Sequence, residues 1–204
     1  EYLKKNTKYV DINDIVIDID NKYLDYKTLG SDRFCNVVAA KDIFPNKDVL
    51  IIDAGTCIKY DFIDRKGSYW GGGISPGLKM RLNALYKNTS QLPNIEVDYD
   101  IEEIPYVRYV NNNITEIDYN SIFPNVIGNN TRNSILSGVL NGIFFEVKGF
   151  ILWYKDKYPS LEIIFTGGDA PLFNIIDFEH FKKIPFLVNY GLNVILRKNN
   201  EYKK

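Results

Sequence analysis

The four residues Asp53-Ala54-Gly55-Thr56 bring an acid, a glycine and a hydroxyl to the end of the apolar run 49–52. A carboxylate such as that of Asp53 can hold a hard cation or order its water, because such cations prefer oxygen ligands. Gly55 lets the backbone approach a ligand closely because it has no β-carbon, and Thr56 offers a hydroxyl and an N–H to a phosphate oxygen. These residues predict a phosphate-binding turn, although D-x-G turns also join ordinary β-hairpins.

Strands are predicted on both sides of this turn. The apolar run 49–52 is typical of a buried strand, and residues 58–62 alternate between apolar and charged side chains, which indicates a second strand. A similar arrangement follows near the end of the chain. There, a strand predicted over 161–165 runs into the glycine turn Thr166-Gly167-Gly168-Asp169-Ala170, with a helical stretch from Leu172.

A second acid, Asp32, lies in the segment Leu29-Gly30-Ser31-Asp32-Arg33, ahead of the apolar residues 34–40. That order predicts a helix with Asp32 and Arg33 in its first turn. A helix N-terminus favours negative charge, both on a side chain and on a bound anion. Ser31 and Asp32 are also frequent helix caps, so the pattern is equally typical of a purely structural role.

The remaining elements frame these positions. Five glycines and one proline within 67–77 predict a backbone that bends tightly or approaches another group closely. Apolar periodicity predicts a helix over 78–86 and a longer one over 131–153. The acidic and asparagine-rich segment 95–130 is expected to be a surface excursion with a short strand near Val107–Val110.

Composition narrows the function classes. A net charge of −1 and a pI near 5.9 argue against a nucleic-acid or acidic-membrane surface. Cys35 and Cys57 lack metal-ligand spacing, and we expect free thiols in a reducing cytosol. No continuous apolar run reaches membrane-spanning length, and we expect neither a membrane span nor a secretory leader. Because the chain opens at Glu1 in mid-pattern, we expect further residues upstream.

Four signatures occur in one order: LGSDR (29–33), DAGT (53–56), GSYWGGGISPGLKMRLNAL (67–85) and TGGDA (166–170). Together they resemble the type III pantothenate kinase family, which belongs to the superfamily of acetate and sugar kinases, actin and heat-shock ATPases. NNTRNSILSG (129–138) and the Gly-Leu pair at 191–192 fit the same pattern. DAGT or TGG alone would be a weak signal, whereas the combination is specific.

The resemblance implies an α/β fold of the ribonuclease H-like, actin-like ATPase type, with two lobes and ATP between them. Residues 1–60 would be the remainder of an incomplete N-terminal lobe with the start of the DAGT hairpin, and 61–204 the C-terminal lobe. The implied activity is ATP-dependent phosphorylation of pantothenate to 4′-phosphopantothenate, the first step of coenzyme A biosynthesis. A cytoplasmic homodimer is implied as well, and the long apolar face of 135–151 favours a dimer.

The resemblance also assigns roles to single residues. Asp32 matches the general base, and Asp53 matches the ligand of a monovalent cation, K⁺ or NH₄⁺. Positions that would contact pantothenate are Tyr23, Gly30, Ser31, Asp32, Arg33 and, from across a dimer interface, Thr131. Positions that would contact ATP are Gly55, Thr56, Gly167 and Gly168.

Two features depart from the family pattern. The first phosphate motif, DxGNT, does not occur in the 29 residues before Gly30. Since that motif holds Mg²⁺ and the β- and γ-phosphates, we expect it upstream of Glu1. The segment 98–125 is also longer than the family's usual link to the Thr131 region.

Two other functions fit parts of the pattern. Relatives on this fold have been described as accessory factors of transcriptional activation, but the near-neutral charge and the lack of a basic helix argue against direct DNA contact. A kinase for another small hydroxylated substrate is compatible with the fold as such. LGSDR is the segment that distinguishes a pantothenate kinase from that alternative.

Overall fold

A mixed β-sheet with helices on both faces organises the protein. The structure, a computed structural model, describes residues 17–97, 109–110, 113–114, 124–173 and 180–201. Within them, six strands pair in the order β1-β4-β3-β2-β7-β8. Their bounds are β1 Asp20–Asn21, β2 Val49–Ala54, β3 Cys57–Ile63, β4 Ser68–Pro76, β7 Glu162–Thr166 and β8 Phe181–Lys183. A separate pair is formed by β5 Tyr109–Val110 and β6 Asn113–Ile114.

The central strand β2 pairs differently on its two sides. It is antiparallel to β3, in a register that sets Asp53 opposite Lys59. On its other side β2 is parallel to β7, with Asp53 opposite Thr166. Because the carboxyl ends of parallel strands meet at one edge of a sheet, the turns that follow β2 and β7 lie side by side.

Helices cover both faces of the sheet. They are α1 Ser31–Ile43, α2 Leu78–Lys87, α3 Thr131–Leu136, α4 Gly142–Lys157 and α5 Leu187–Glu201. On one face, α1 and α5 pack on side chains such as Ile51 and Ile164. On the other face, α2, α3 and α4 pack on side chains such as Leu50 and Ile163. Alternate residues of each buried strand thus serve two separate cores.

The glycine-rich segment 67–77 contains the whole of β4, a strand that the sequence did not predict. The predicted close backbone approach is confirmed at two of its glycines. A β-carbon on Gly72 would lie 1.8 Å from the carbonyl oxygen of Tyr60, and one on Gly77 would lie 2.0 Å from that of Gly55. Glycine is required at these positions by the neighbouring backbone, although it weakens the strand pattern in the sequence.

The predicted helix over 131–153 is observed, with an added irregularity. A π-helical turn at Ser137–Asn141 joins α3 to α4, where small and polar residues interrupt the apolar pattern. Among the described residues, this combined helix, Thr131–Lys157, is the one with the length and average hydropathy of a membrane span. Charged residues such as Glu146 interrupt it, so it is not a continuous apolar run. Its buried residues pack on the sheet, as in the core helix of a globular protein.

Other sequence predictions have mixed outcomes. Cys35 and Cys57 are both free thiols, as expected. The helical stretch expected from Leu172 is a short 3₁₀ turn, Ala170–Phe173, and residues 174–179 lie outside the described part. Most of 98–125 also lies outside it, apart from β5 and β6. The predicted lobe boundary between residues 60 and 61 falls inside β3, and the division into lobes stays a prediction.

Close contact between α1 and α5 depends on Gly191, because a β-carbon there would lie 1.9 Å from the carbonyl oxygen of Cys35. We predict that Gly191→Ala lowers the free energy of unfolding by about 1–3 kcal/mol, as overpacking typically does. Gly149→Ala on α4 is the matched control. A β-carbon there meets no atom within 4 Å, so better helix propensity should raise stability by up to about 1 kcal/mol. Urea unfolding measures both, and equal stabilisation by the two changes would contradict the packing account.

Candidate active site

The candidate site forms where the first turns of α1 lie on the face of the β2–β3 hairpin. Lys59 and Asp61 point to this face of β3, because side chains alternate along a strand and Ile63 belongs to the core under α1. From α1, Asp32 and Asn36 are spaced four residues apart and therefore share one side of the helix. The register of the hairpin adds Asp53 from β2.

The ammonium group of Lys59 bridges two carboxylates. Its Nζ lies 2.7 Å from Asp32 Oδ2 and 2.8 Å from Asp53 Oδ2. The Asp53 side chain is 13% exposed, whereas that of Asp32 is 46% exposed. Asp53 is therefore enclosed by protein, and Asp32 can reach a molecule in the solvent.

Electrostatics keep this bridge charged. Burial raises the pKa of the Asp32 carboxyl, but the hydrogen bonds from Lys59 and from the Arg33 backbone N–H outweigh it and hold the pKa below its ordinary value. Burial lowers the pKa of Lys59, yet its bonds to Asp32 and Asp53 raise it overall. Asp32 is an anion and Lys59 a cation at neutral pH.

Asn36 holds the Asp53 carboxylate in place from α1. Its side chain is fully buried, and its Nδ2 donates a hydrogen bond of 3.2 Å to Asp53 Oδ2. Its Oδ1 has no hydrogen-bond partner within the described part of the chain. A buried polar atom without a hydrogen bond is energetically costly. The Oδ1 atom of Asn36 is therefore suited to a polar contact with a bound molecule.

A second ion pair anchors α1 next to the first. The Arg33 guanidinium donates to Asp61 Oδ1 through Nη2 at 2.7 Å and through Nε at 3.1 Å, and both side chains are at most 5% exposed. Tyr69 donates its hydroxyl proton to the same oxygen at 2.6 Å. Burial raises the pKa of Asp61, which these bonds lower only in part. Arg33 is thus committed to Asp61, and its predicted contact with substrate stays a prediction.

The glycine turns after β2 and β7 form the open edge of the site. Gly167 has φ +92°, and a β-carbon there would lie 2.2 Å from the Ala54 carbonyl oxygen and 2.6 Å from Asp53 Oδ1. The Asp169 N–H donates to that same carbonyl oxygen at 2.9 Å. A β-carbon built on Gly55 or on Gly168 would meet no atom within 4 Å, so the side of each residue where a side chain would stand is open. This backbone can therefore approach an anionic ligand.

All the other predicted residues except Thr131 lie near the start of α1 or in the DAGT turn. Gly30 precedes α1, Ser31 is exposed in its first turn, and the Tyr23 hydroxyl accepts a hydrogen bond of 3.4 Å from Arg33 Nη1. Thr56 is exposed in the DAGT turn, and its carbonyl oxygen accepts from the Gly77 N–H. Thr131 does not join them. It lines a groove of about 1120 Å³ between α2 and α3, on the opposite face of the sheet.

Lys59, Asn36 and Asp61 are site residues that the sequence pattern did not predict. The signal for Lys59 and Asp61 was present, because charged residues alternated with apolar ones on a strand that would otherwise be buried. Only the hairpin register shows that Lys59 faces Asp53. Among the described residues, no group of three or more histidine, cysteine or acidic side chains could hold a metal ion.

A second polar cluster joins α4 to the end of β4. Glu146 Oε1 accepts hydrogen bonds from the Tyr60 hydroxyl at 2.8 Å and from the Ser75 hydroxyl at 2.5 Å, and Oε2 pairs with Arg81 Nη2 at 2.5 Å. Burial raises the pKa of Glu146, but the bonds from Arg81, Ser75 and Tyr60 outweigh it and hold the pKa below its ordinary value. The cluster borders the groove that Thr131 lines.

Comparison with known proteins places these features in a family. A family model described as type III pantothenate kinase matches residues 1–152. A protein of Christiangramia forsetii named type III pantothenate kinase is 40% identical over 199 residues, which cover 97% of this chain and 72% of that protein. One of Bacteroides fragilis with the same name is 41% identical over 187 residues, covering 88% and 65% respectively.

A solved structure supports the fold alone. A crystal structure from Campylobacter jejuni, named as a conserved Baf family transcriptional activator, superposes with a TM-score of 0.55. The match covers 98% of this chain and 79% of that chain, at 21% sequence identity.

We predict that Asp61→Asn lowers the free energy of unfolding by about 3–5 kcal/mol, because it leaves the buried Arg33 charge without its partner. Arg197→Gln is the control. Arg197 lies 3.8 Å from Asp42 and is 58% exposed, and loss of such a surface pair costs about 0–1 kcal/mol. Denaturant unfolding of both variants checks the difference, and similar small losses would contradict a stabilising role for the buried pair.

We predict that the Glu146 cluster makes stability sensitive to acid. Because the folded-state pKa lies below the ordinary value of 4.5, its contribution is complete above that pH and is lost as the pH falls through the folded-state pKa. Glu146→Gln should therefore destabilise the protein at neutral pH, with a difference from wild type that shrinks in acid. Urea midpoints of wild type and Glu146→Gln, measured from neutral pH down through pH 4.5, check this difference. Glu96→Gln, at an exposed position, is the control. A difference between Glu146→Gln and wild type that does not change with pH would contradict the prediction.

Proposed function

The chain belongs to the type III pantothenate kinase family, and from that premise we propose that the protein transfers the γ-phosphate of ATP to the 4′-hydroxyl of pantothenate. This is the first step of coenzyme A biosynthesis, and we propose that it occurs in the cytoplasm. The chain spans 72% and 65% of the two relatives compared above, so the proposal concerns the activity of the whole protein. The observation that carries it is the joint placement of Asp32 and Asp53 around one ammonium group, beside two glycine turns.

Asp32 is proposed as the general base. It is half-exposed and ionised, and it lies in the first turn of α1. An alcohol has a pKa far above neutrality, so this carboxylate helps chiefly as the proton leaves in the transition state. Phosphoryl transfer depends mainly on positioning and charge neutralisation, and the bond from Lys59 supplies the positioning of this carboxylate.

The glycine turns are proposed to bind the nucleotide. Gly55, Thr56, Gly167 and Gly168 lie in the turns where β2 and β7 end. The Gly55 N–H already donates to the Cys57 carbonyl oxygen at 3.0 Å, so Gly55 is proposed to allow close approach, and the exposed backbone of Thr56, Gly167 and Gly168 to contact phosphate oxygens. Kinases of this kind use ATP with a divalent metal, which we propose to be Mg²⁺. The DxGNT residues that hold Mg²⁺ in the family are not among those of this chain, so no step is assigned to the metal here.

Pantothenate is proposed to contact Tyr23, Gly30, Ser31 and Arg33 around the start of α1. Thr131 lies on the opposite face of the sheet from Asp32. A contact between Thr131 and the same substrate would therefore come from a second copy of the chain, which supports a homodimer. Exposed apolar side chains on α4, among them Phe145 and Trp153, offer further surface for such pairing.

The ribonuclease H-like fold with two lobes is part of the proposal. The strand order β4-β3-β2-β7-β8, with β3 antiparallel to its neighbours, supports it. A regulatory role in transcription is less well supported. The Campylobacter jejuni likeness concerns the fold only, and the chain's charge of −1 does not favour DNA.

We predict that Asp32→Asn lowers the kcat for pantothenate about 10²–10⁴-fold, the usual contribution of general-base catalysis. The fold and the KM for ATP should change little, because Asp32 is half-exposed. An ATP-consumption assay with pantothenate measures this, and Asp156→Asn on the exposed side of α4 is the control. Full activity of Asp32→Asn would contradict the role of the base, and turnover of sugars without turnover of pantothenate would contradict the substrate.

A further inference from the structure

The position assigned to a monovalent cation already has a cation beside it. We propose that the side-chain ammonium of Lys59 is the monovalent cation of this active site, and that the enzyme therefore works without added K⁺ or NH₄⁺. This inference rests on the proposed function, because it concerns how the same site stabilises the reacting groups.

The geometry of Lys59 is that of a tethered ammonium ion. Its Nζ lies 2.8 Å from Asp53 Oδ2 and 2.7 Å from Asp32 Oδ2, within the range of charge-assisted N–H···O bonds. A site that binds NH₄⁺ through carboxylate oxygens binds a primary ammonium through the same acceptor oxygens. The strand register sets Lys59 opposite Asp53, so the ammonium group is placed at this carboxylate by the fold itself and not by binding of a free ion.

A further cation at Asp53 would compete with donors of the protein itself. Its Oδ2 already accepts hydrogen bonds from Lys59 and, at 3.2 Å, from Asn36 Nδ2. Its Oδ1 lies beside Gly167, where a built β-carbon would be 2.6 Å from it. A free cation next to Asp53 would also be repelled by the like charge of the Lys59 ammonium.

The tether has an energetic advantage over a free ion. Lys59 is carried by β3, and its side chain is only 19% exposed, so folding has already restricted its position. A linked group binds at a high effective concentration, whereas a free ion must be held against dilution. The two carboxylates are thereby kept close together whatever salt surrounds the protein.

Wild-type protein, expressed from its own complete gene, provides the first test. Pantothenate phosphorylation is measured in tetramethylammonium, potassium and ammonium chloride at equal ionic strength, with all substrates as sodium salts. The inference predicts the same rate in all three salts. A rate that depends on K⁺ or NH₄⁺ would overturn it while leaving the proposed function intact.

Lys59→Ala provides the second test, because the shorter side chain leaves room for an ion. In tetramethylammonium chloride we expect its kcat to fall about 10²–10³-fold, as on loss of a preorganised electrostatic group. Added K⁺ or NH₄⁺ should restore much of the rate, whereas Lys66→Gln, on the exposed turn before β4, should behave as wild type. A variant that these ions do not rescue would count against the inference.

Thermal melting without substrates gives a readout that is independent of activity. A ligand that binds the folded state raises its melting temperature by mass action. Potassium should therefore stabilise Lys59→Ala relative to tetramethylammonium and leave wild type unchanged. If no salt supports pantothenate phosphorylation, the proposed function fails, and melting alone decides the role of Lys59. Equal stabilisation of both proteins by potassium would refute that role.

Discussion

The bridge from Lys59 to Asp32 and Asp53 is the interaction on which the candidate site depends. Two carboxylates this close together would repel each other, and a single ammonium between them turns the repulsion into an attraction that ties α1 to the β2–β3 hairpin. The Arg33–Asp61 pair repeats the same connection two residues further along β3. Opposite charges therefore fix the end of the helix that carries the proposed base.

Backbone packing supplies the second constraint. The parallel pairing of β2 and β7 brings the turns after them together, and Gly167 must be a glycine because the Ala54 carbonyl oxygen fills the space of a β-carbon. Gly77 makes the same kind of contact with the carbonyl oxygen of Gly55. These two glycines thus leave room for the neighbouring backbone. Beside Gly55 and Gly168, in contrast, a β-carbon would meet no atom within 4 Å, and this is where we propose that the nucleotide approaches the backbone.

The sequence alone predicted the elements whose periodicity is strong: β2, β3, α1 and α2 all lie where the pattern put them. It failed for β4, because the glycines required by close packing also remove the side chains that mark a strand. It found Asp32 and Asp53 by type and by resemblance. It did not identify Lys59 and Asn36, because their role depends on their contacts with Asp53. Those contacts are set by strand register and by helix packing, which a local sequence pattern does not show. The placement of Thr131 on the far face was likewise a matter of topology.

A crystal structure of the complete protein with pantothenate and a non-hydrolysable ATP analogue would test the central claim most directly. It should show the 4′-hydroxyl within about 2.6–3.2 Å of the Asp32 carboxylate, with Lys59 Nζ still between Asp32 and Asp53 and the triphosphate on the two glycine turns. Pantothenate bound away from Asp32, or the two carboxylates lying in separate cavities, would contradict the account.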